Sequence, residues 1–313
     1  MVHEPRPHRI LPVDQLPSGS RIPPLRKPLL DARIAKLDVR RHSDITHKFL
    51  GRALAQVLAL GESFREGEAM GWGPGRATHY VIDEFFRSKP QFNVRVSLYS
   101  MAGRAGAKTH AEGDGRFDSD INIEAVAKYF SPDPDRHHLV HSIWSGGRRE
   151  TTWMGRNEQI DLGIVGVGVL GPGHAFVEEV DEQTEELKRL IEICKKAAQD
   201  FPAAAKIWVP CADVCNRLLP VEPPPGVDFR QAREVEDLIE EINASTLTVG
   251  PKELDGLPLT VVAGTLAKAA AIKSVLVLDT YNVQALCTSR PVARWLVEAY
   301  NRTFKPLDEF DDS

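Results

Sequence analysis

One lysine stands at the start of an alanine-rich helix, where it could hold an anion. The stretch VVAGTLAKAAAI, residues 261–272, contains a short β-branched strand, Gly264, and then a helix that carries Lys268. The first turn of a helix offers free N–H groups and a positive partial charge, which favour a phosphate group. A single lysine on an amphipathic helix is also ordinary surface charge. The residues alone therefore predict either a phosphate contact or a solvent-facing side chain.

Two more glycine-rich stretches have the form of a junction between a strand and a helix. They are GWGPGRAT (71–78) and GVGVLGPG (166–173), and with AGTLAK (263–268) they make three. In an open α/β sheet, ligands bind where the strands end and the helices begin. None of the three matches the P-loop. The dinucleotide-binding pattern requires a helix directly after its glycines, and no helix starts promptly after GVGVLGPG. Each junction taken singly indicates a structural turn more often than a site.

Catalytic and metal-binding constellations are weak. The stretch HHLVH (137–141) is typical of an edge or surface strand, and no carboxylate is placed to complete a metal site. Cys211 and Cys215 have no second Cys or His pair at metal-ligand spacing, which favours buried or half-buried free thiols. We predict no catalytic residue, no metal and no cofactor. An acidic loop with Asp114, Asp118 and Asp120 leaves an enzyme open, and it could equally be a solvated lid.

These residues need a framework of alternating strands and helices, which the sequence supplies from residue 44 onward. Helices are predicted at 44–64, 121–130, 178–201 and 265–276, with a closing helix that begins at Ala293. Strands are predicted within 92–103, 137–145, 160–173 and 259–264, and a short segment at 275–279 follows. This alternation predicts α/β architecture with a mainly parallel sheet covered on both faces.

Residues 1–43 differ from the rest, because they are rich in proline and basic side chains and have poor periodicity. We predict an extended arm at 1–43 and one domain at 44–313. The arm has no room for the two helices of a helix-turn-helix. It could touch nucleic acid or pack as a strap on a neighbouring subunit.

The overall composition shows no global basic field. The chain has 44 acidic and 39 basic residues, a net charge of −5, which argues against autonomous DNA binding but leaves a local patch open. No apolar run approaches the ~20 residues that span a membrane. The N-terminus MVHEPRPHRILPV lacks the apolar region of a signal peptide. The sequence therefore predicts a cytoplasmic protein without membrane contact, with reduced cysteines.

The ordered series of short blocks resembles the effector-binding domain of SorC-type transcriptional regulators, relatives of the DeoR-type regulators. The resemblance runs from about His47 to Tyr300. In chain order, the blocks are FLGRALAQVLALGESFREGEAMGWGPGRAT, SLYSMAG, INIEAVAKYF, LGIVGVG, CADVCNRLL, LTVGPKEL and VVAGTLAKAAAI. The resemblance implies a Rossmann-like, mainly parallel sheet flanked by helices, with a small inserted or lid subdomain. This fold is of the ribose-5-phosphate isomerase and glucosamine-6-phosphate deaminase type.

The resemblance also implies a ligand and the residues that hold it. The ligand would be a sugar or sugar phosphate, with Arg76 and Lys268 near the phosphate, and Asp213 and Asp279 accepting sugar hydroxyls. A homo-oligomer, dimer or tetramer, is expected, and DNA contact only weakly or through a partner. The implied ligand-binding residues are Gly73, Gly75, Arg76, Thr78, Gly103, Asn122, Gly168, Asp213, Arg217, Lys268 and Asp279.

Departures from the family pattern leave alternatives open, and three of them bear on the site and on DNA binding. Ala77 replaces a threonine, Thr265 replaces the second glycine of the last block, and the N-terminal DNA-binding module has no counterpart. Arg76 could instead pair with Asp83 or Glu84 on its own helix. The expected function is a sugar-binding sensor or regulatory protein. The alternatives are a sugar-phosphate isomerase or deaminase on the same fold, and a regulator that contacts DNA through its arm or a partner.

Overall fold

A computed structural model gives the fold of the chain. It describes residues 9–12, 39–60, 64–92, 94–102, 119–130, 138–140, 160–170, 184–215, 217–245, 256–277 and 281–300. Two of the predicted ligand-binding residues, Gly103 and Asp279, lie outside this part of the chain. Asp114 and Asp118 of the acidic loop also lie outside it.

Seven strands form one sheet, and every neighbouring pair in it is parallel. Parallel strands are covered on both faces, which is why they carry nearly continuous apolar runs such as Leu259–Val262. The strands are β1 (Arg9–Pro12), β2 (Glu68–Trp72), β3 (Val96–Ser100), β4 (His138–Val140), β5 (Leu162–Gly166), β9 (Pro258–Val262) and β10 (Asn282–Thr288). Their order across the sheet is β1-β10-β9-β5-β2-β3-β4.

Helices cover both faces of this sheet, and alternate residues of a strand enter two different cores. Ile164 packs with α1 (Val39–Leu60), α2 (Arg76–Ser88) and α3 (Ser119–Ala127), whereas its neighbour Val165 packs with α6 (Ala269–Val277) and α7 (Arg290–Tyr300). The predicted α/β class with a mainly parallel, doubly covered sheet is confirmed.

A smaller antiparallel sheet is inserted in the chain between β5 and β9. It consists of β6 (Gly168–Val169), β7 (Cys211–Val214) and β8 (Arg217–Pro220), and it packs with α4 (Glu185–Asp200) and α5 (Ala232–Ser245) around a third core. Asn243 of α5 fixes β8, because its amide donates to the carbonyl of Leu218 and accepts from the N–H of the same residue, both at 2.8 Å.

Two of the differences from the predicted elements bear on the site. The segment predicted at 275–279 belongs to α6 as far as Val277, and the strand that pairs with β9 is β10. The cause is that α6 is buried from Ala269 to Ile272, so it has no polar face and its apolar run resembles a strand. The second glycine-rich stretch leads from β5 into β6, and not into a helix.

The predicted arm contains one described strand. Residues 9–12 form β1, which pairs with β10 at the edge of the large sheet, and α1 begins at Val39 within the last part of the arm. In the described residues of the arm, the structure shows this strand and the start of α1. Within the same described ranges, no helix has the length and apolarity needed to cross a membrane.

Candidate functional site

The three glycine junctions meet at one edge of the large sheet. They follow β2, β5 and β9, which are direct neighbours in the order β9-β5-β2. Because the strands are parallel, their carboxyl ends lie side by side. A Cβ atom built on Gly166 would lie 3.7 Å from the carbonyl oxygen of Pro74 and 3.9 Å from that of Val262. The junctions predicted from sequence therefore converge around Gly166.

The first junction turns sharply from β2 into α2. The N–H of Gly73 donates to the carbonyl of Ile164 at 2.8 Å, and a side chain at Gly73 would meet the Cys215 thiol at 3.1 Å. Gly75 is the residue before α2 and has φ +116°, a conformation that L side chains rarely adopt. The Thr78 hydroxyl donates to the Gly75 carbonyl at 2.8 Å. Its proton thus closes the turn, which leaves only the oxygen lone pairs for another contact.

The start of α3 is tied to the same junction. Asn122 is fully buried, and its amide nitrogen donates to the Gly73 carbonyl at 3.3 Å. Among the described residues its side-chain oxygen has no hydrogen-bond partner. Ser119 donates to the Trp72 carbonyl and accepts from the Met101 N–H, so α3 begins where β2 and β3 end. A buried amide oxygen is thereby placed beside the first junction.

Lys268 is a buried residue and does not face solvent. It closes a single 3₁₀ turn, Leu266–Lys268, directly before α6, and it is 8 % exposed. Its Nζ atom lies 3.4 Å from Nε2 of His47, a residue of α1 that is 4 % exposed. The interpretation of Lys268 as surface charge is therefore wrong, because the 3₁₀ turn directs the side chain inward, towards α1.

The charges around Lys268 come from three different elements. Burial lowers the pKa of Lys268 to about 8, the negative charge of Asp213 opposes this shift, and the positive charge of Arg76 adds to it. With that pKa, about nine-tenths of the amine is protonated at pH 7. Arg76 of α2, Asp213 of β7 and Lys268 are thus electrostatically coupled, although they lie far apart in the sequence.

The alternative pairing of Arg76 with its own helix involves carboxylates that have other partners. Glu84 forms ion pairs with Arg52 and Arg87, at 3.2 and 3.9 Å, and Asp83 contacts His79 at 3.5 Å. Arg76 lies close enough to Lys268 to act on its pKa. Ala77, at the position of the family threonine, is buried in the core and does not reach the junction's polar side.

The small sheet brings Asp213 to the site. Gly168 pairs with Asp213 across β6 and β7, and a Cβ atom on Gly168 would lie 2.7 Å from Asp213 Oδ2. A side chain in place of Gly168 would therefore crowd the carboxylate and displace it. The next turn contains Cys215 with φ +53°, an uncommon conformation for a side chain that is not glycine.

Arg217 and Tyr281 lie on the same side of the site. Burial raises the pKa of the Tyr281 hydroxyl, and the charge of Arg217 opposes this shift, while Asp213 adds to it. Tyr281 directly precedes β10, so it is contributed by the large sheet, whereas Arg217 begins β8. The two sheets therefore share a polar boundary at Asp213, Arg217 and Tyr281.

The cysteines are structural. All four thiols are free and buried, and burial raises the pKa of Cys194 and of Cys287 to about 12. It also raises the pKa of Cys211 and of Cys215 above the ordinary range. Such thiols are poor nucleophiles at neutral pH, as predicted for buried free cysteines. In the described ranges, no three His, Cys, Asp or Glu side chains form a group that could hold a metal ion.

The structure brings together the predicted residues that it describes, and it adds others. The nine described residues are connected through the contacts above: Gly73, Gly75, Arg76, Thr78, Asn122, Gly168, Asp213, Arg217 and Lys268. His47, Gly166 and Tyr281 were not predicted as site residues. A signal existed for His47, which occupies the apolar stripe of α1 with Leu50 and Leu54.

The fold matches solved structures of transcriptional regulators. The full-length sorbitol operon regulator SorC from Klebsiella pneumoniae matches with a TM-score of 0.50 and 14 % identity, over 81 % of this chain and 73 % of that chain. A transcriptional regulator from Streptococcus pneumoniae TIGR4 matches at 0.49 and 15 %, over 82 % and 86 %. A monomeric glucosamine-6-phosphate deaminase matches at 0.38 and 13 %, over 80 % and 96 %.

Sequence comparison adds no relative, since no protein-family model and no curated protein matches the chain. At 14 % identity, a structural match shows the fold alone. The fold implied by the ordered blocks is confirmed: the chain has the fold of the sorbitol operon regulator SorC.

Proposed function

We propose that this protein binds an anionic sugar-type effector, most simply a sugar phosphate, and acts as a sensor or regulatory protein of the SorC type. The observation that carries this proposal is the burial of Lys268 beside Arg76 and Asp213, at the edge where the three glycine junctions meet.

The electrostatics favour an anion as ligand. The positive charge of Arg76 lies close enough to Lys268 to lower its pKa, and Asp213 supplies one opposing charge. An anion bound beside the buried Lys268 would add a negative charge next to two cations. The start of α2, where Gly75 provides no capping side chain, adds N–H groups that suit a phosphate.

Polar acceptors near the cations favour a ligand with hydroxyl groups. Asp213 offers a carboxylate, and the buried side-chain oxygen of Asn122 can accept one hydrogen bond. An anionic polyol would satisfy both sets of groups. The resemblance to SorC-type regulators supports a sugar, because such effectors are sugar-like in that family.

A ligand panel tests the proposal. Calorimetry with fructose 6-phosphate, glucose 6-phosphate and sorbitol 6-phosphate, against the unphosphorylated sugars, should find at least one phosphorylated binder. Lys268→Met should weaken its binding by a hundredfold or more, because the cation that faces the anion is lost, a loss of about 3 kcal/mol. Lys273→Met, on the half-exposed side of α6, is the matched control and should bind like the wild type. Equal affinity in the Lys268 variant contradicts the proposal.

The same experiments separate binding from catalysis. An isomerase or deaminase would exchange or convert the substrate. Incubation in deuterated water, followed by NMR, detects loss of the C2 proton of glucose 6-phosphate or of a C1 proton of fructose 6-phosphate. We expect tight binding without exchange. Exchange that depends on Asp114 or Asp118 would instead support the enzyme.

Regulation through other molecules is part of the proposal. We expect a homo-oligomer, dimer or tetramer, in light scattering, and DNA contact that is weak or needs a partner. Should residues 1–43 bind DNA themselves, affinity for a duplex would fall steeply with salt, and removing these residues would abolish it.

A further inference from the structure

The contact between His47 and Lys268 has no obvious purpose in folding. His47 occupies the buried stripe of α1 that Leu50 and Leu54 continue, a place where an apolar side chain would pack without a polar atom. Its Nε2 atom lies 3.4 Å from the Lys268 amine. A second titratable group is thus buried beside the cation assigned to the ligand.

We infer that His47 is a further residue of the anion site, and that it takes up a proton when a phosphate-type dianion binds beside Lys268. This inference rests on the proposed function. To that function it adds a further site residue, a selectivity for dianions and a dependence of ligand affinity on pH.

The geometry requires one shared proton position between the two nitrogens. An ammonium can donate to the Nε2 atom of a neutral imidazole, or an imidazolium can donate to a neutral amine. If both groups were protonated, two positive charges would stand 3.4 Å apart in a buried place, with Arg76 nearby. Asp213 supplies one opposing charge, so we assign the ligand-free pair one ionising proton beyond the neutral state.

A dianion removes that restriction. Two negative charges beside the pair compensate an ammonium and an imidazolium together, so binding draws a second proton onto the protein. By linkage, an anion that causes proton uptake binds more tightly as the pH falls. Because one negative charge compensates only one of the two cations, a sugar acid with a single carboxylate should gain less than a phosphate.

Several titratable groups near His47 have partners of their own. On α1 itself, Lys48 lies over the Tyr80 ring at 5.3 Å and Arg52 pairs with Glu84 at 3.2 Å. From α2, His79 contacts Asp83 at 3.5 Å. Further titratable groups on elements that pack against α1 or Lys268 include Arg76 of α2, Asp213 of β7, Cys287 of β10 and Lys206 of the 3₁₀ turn Ala204–Lys206. His79 is a histidine on a helix that packs against α1, which makes it the natural control.

Calorimetry on the full chain tests proton uptake. The probes are inorganic sulfate, which remains a dianion across the range, and fructose 6-phosphate, each at pH 6.5 to 8.5 in buffers of different ionisation enthalpy. Around pH 7 the wild type should take up about half a proton or more, and the affinity for sulfate should fall up to tenfold per pH unit. His47→Gln keeps a hydrogen-bond acceptor but cannot charge, so its uptake at pH 7 should be about 0.1 proton or less. His79→Gln should behave like the wild type.

A measurement on the unmutated protein covers a variant that fails to fold. With ¹³C-labelled histidine, the Cε1–H signal of His47 at pH 7 should move towards its protonated position when sulfate is added. No movement, or equal proton uptake in wild type and His47→Gln, overturns this inference and leaves the Lys268-dependent anion site intact. If only another sugar phosphate of the panel binds, that sugar phosphate serves as the probe. If no phosphorylated ligand binds, or if binding does not need Lys268, the proposed function fails and this inference fails with it.

Discussion

Replacing Lys268 with methionine should make the ligand-free protein more stable. Methionine matches the length and flexibility of lysine, and it removes the charge from a residue that is almost fully buried. The pKa of Lys268 falls from 10.5 in the unfolded chain to about 8 in the fold, which means that the fold disfavours the charged form. At about 1.4 kcal/mol per pH unit, this amounts to roughly 3 kcal/mol.

Part of that gain is lost with the amine. The contact of Lys268 with His47 disappears, and a hydrogen bond of this kind contributes about 1 kcal/mol. We therefore expect Lys268→Met to raise the free energy of unfolding by about 2 kcal/mol at pH 7. Urea unfolding followed by fluorescence and by circular dichroism measures it, since urea carries no charge and does not screen the site.

The pH dependence of the difference identifies its cause. Between the folded pKa of about 8 and the unfolded value of 10.5, the unfolded chain holds more protons than the fold at this group. The charged Lys268 therefore destabilises the folded wild type by its full amount below about pH 8, and this destabilisation disappears as the pH rises to 10.5. Near that pH only the lost hydrogen bond remains, so the variant should be the less stable protein, by about 1 kcal/mol.

One control variant and two contrary outcomes test this reasoning. Lys273→Met, on the same helix but half-exposed, should change the free energy of unfolding by less than about 0.5 kcal/mol. If Lys268→Met destabilises the protein at pH 7, or if its effect is the same at pH 7 and pH 10, then Lys268 contributes as an ordinary stabilising ion pair. The electrostatic argument for the anion site would then be wrong.

Three further outcomes follow from described contacts. Gly168→Ala would place a methyl group 2.7 Å from Asp213 Oδ2, and it should lower the free energy of unfolding in urea by about 1–3 kcal/mol. Gly166→Ala, whose nearest contact is at 3.7 Å, should lower it less. Equal effects of the two variants would contradict the crowding at Gly168. Asn243→Ala leaves both backbone groups of Leu218 without their partner and should lower the free energy of unfolding by about 2–3 kcal/mol, with faster amide exchange at Leu218 as the local readout. A thiol reagent at pH 7.5 should modify no buried cysteine quickly in the native protein and all four in guanidinium; rapid native reaction would show that a thiol is accessible.

The position of the site was predictable from the sequence because it depends on topology. A junction between a strand and a turn can be recognised from its local sequence, and the carboxyl ends of parallel strands lie at the same edge of the sheet. The glycines of the first junction were recognisable for the same reason, since Gly75 has a backbone conformation that excludes most residues. The convergence around Gly166 then required only that β2, β5 and β9 be neighbours.

The direction of Lys268 and the role of His47 were not predictable in this way. A continuous helix from Thr265 would place the lysine at a different angle, but the 3₁₀ turn Leu266–Lys268 changes the rotation per residue. His47 is 221 positions away from Lys268 in the chain, so no local pattern links the two. Similarly, α6 lacks the amphipathic pattern that marks a surface helix, so its apolar end was interpreted as a separate short segment. The strand β10, which follows it, was therefore not predicted.

The connection between the two sheets has a consequence for the thermodynamics of binding. Only Val167, itself buried, separates the end of β5 from the start of β6, and β6 carries Gly168 opposite Asp213. Because Gly168 pairs with Asp213, this short connection holds the backbone of Asp213 close to the carboxyl end of β5. A ligand that contacts both groups therefore meets a pair separated by few rotatable bonds, which lowers the conformational entropy that binding must remove.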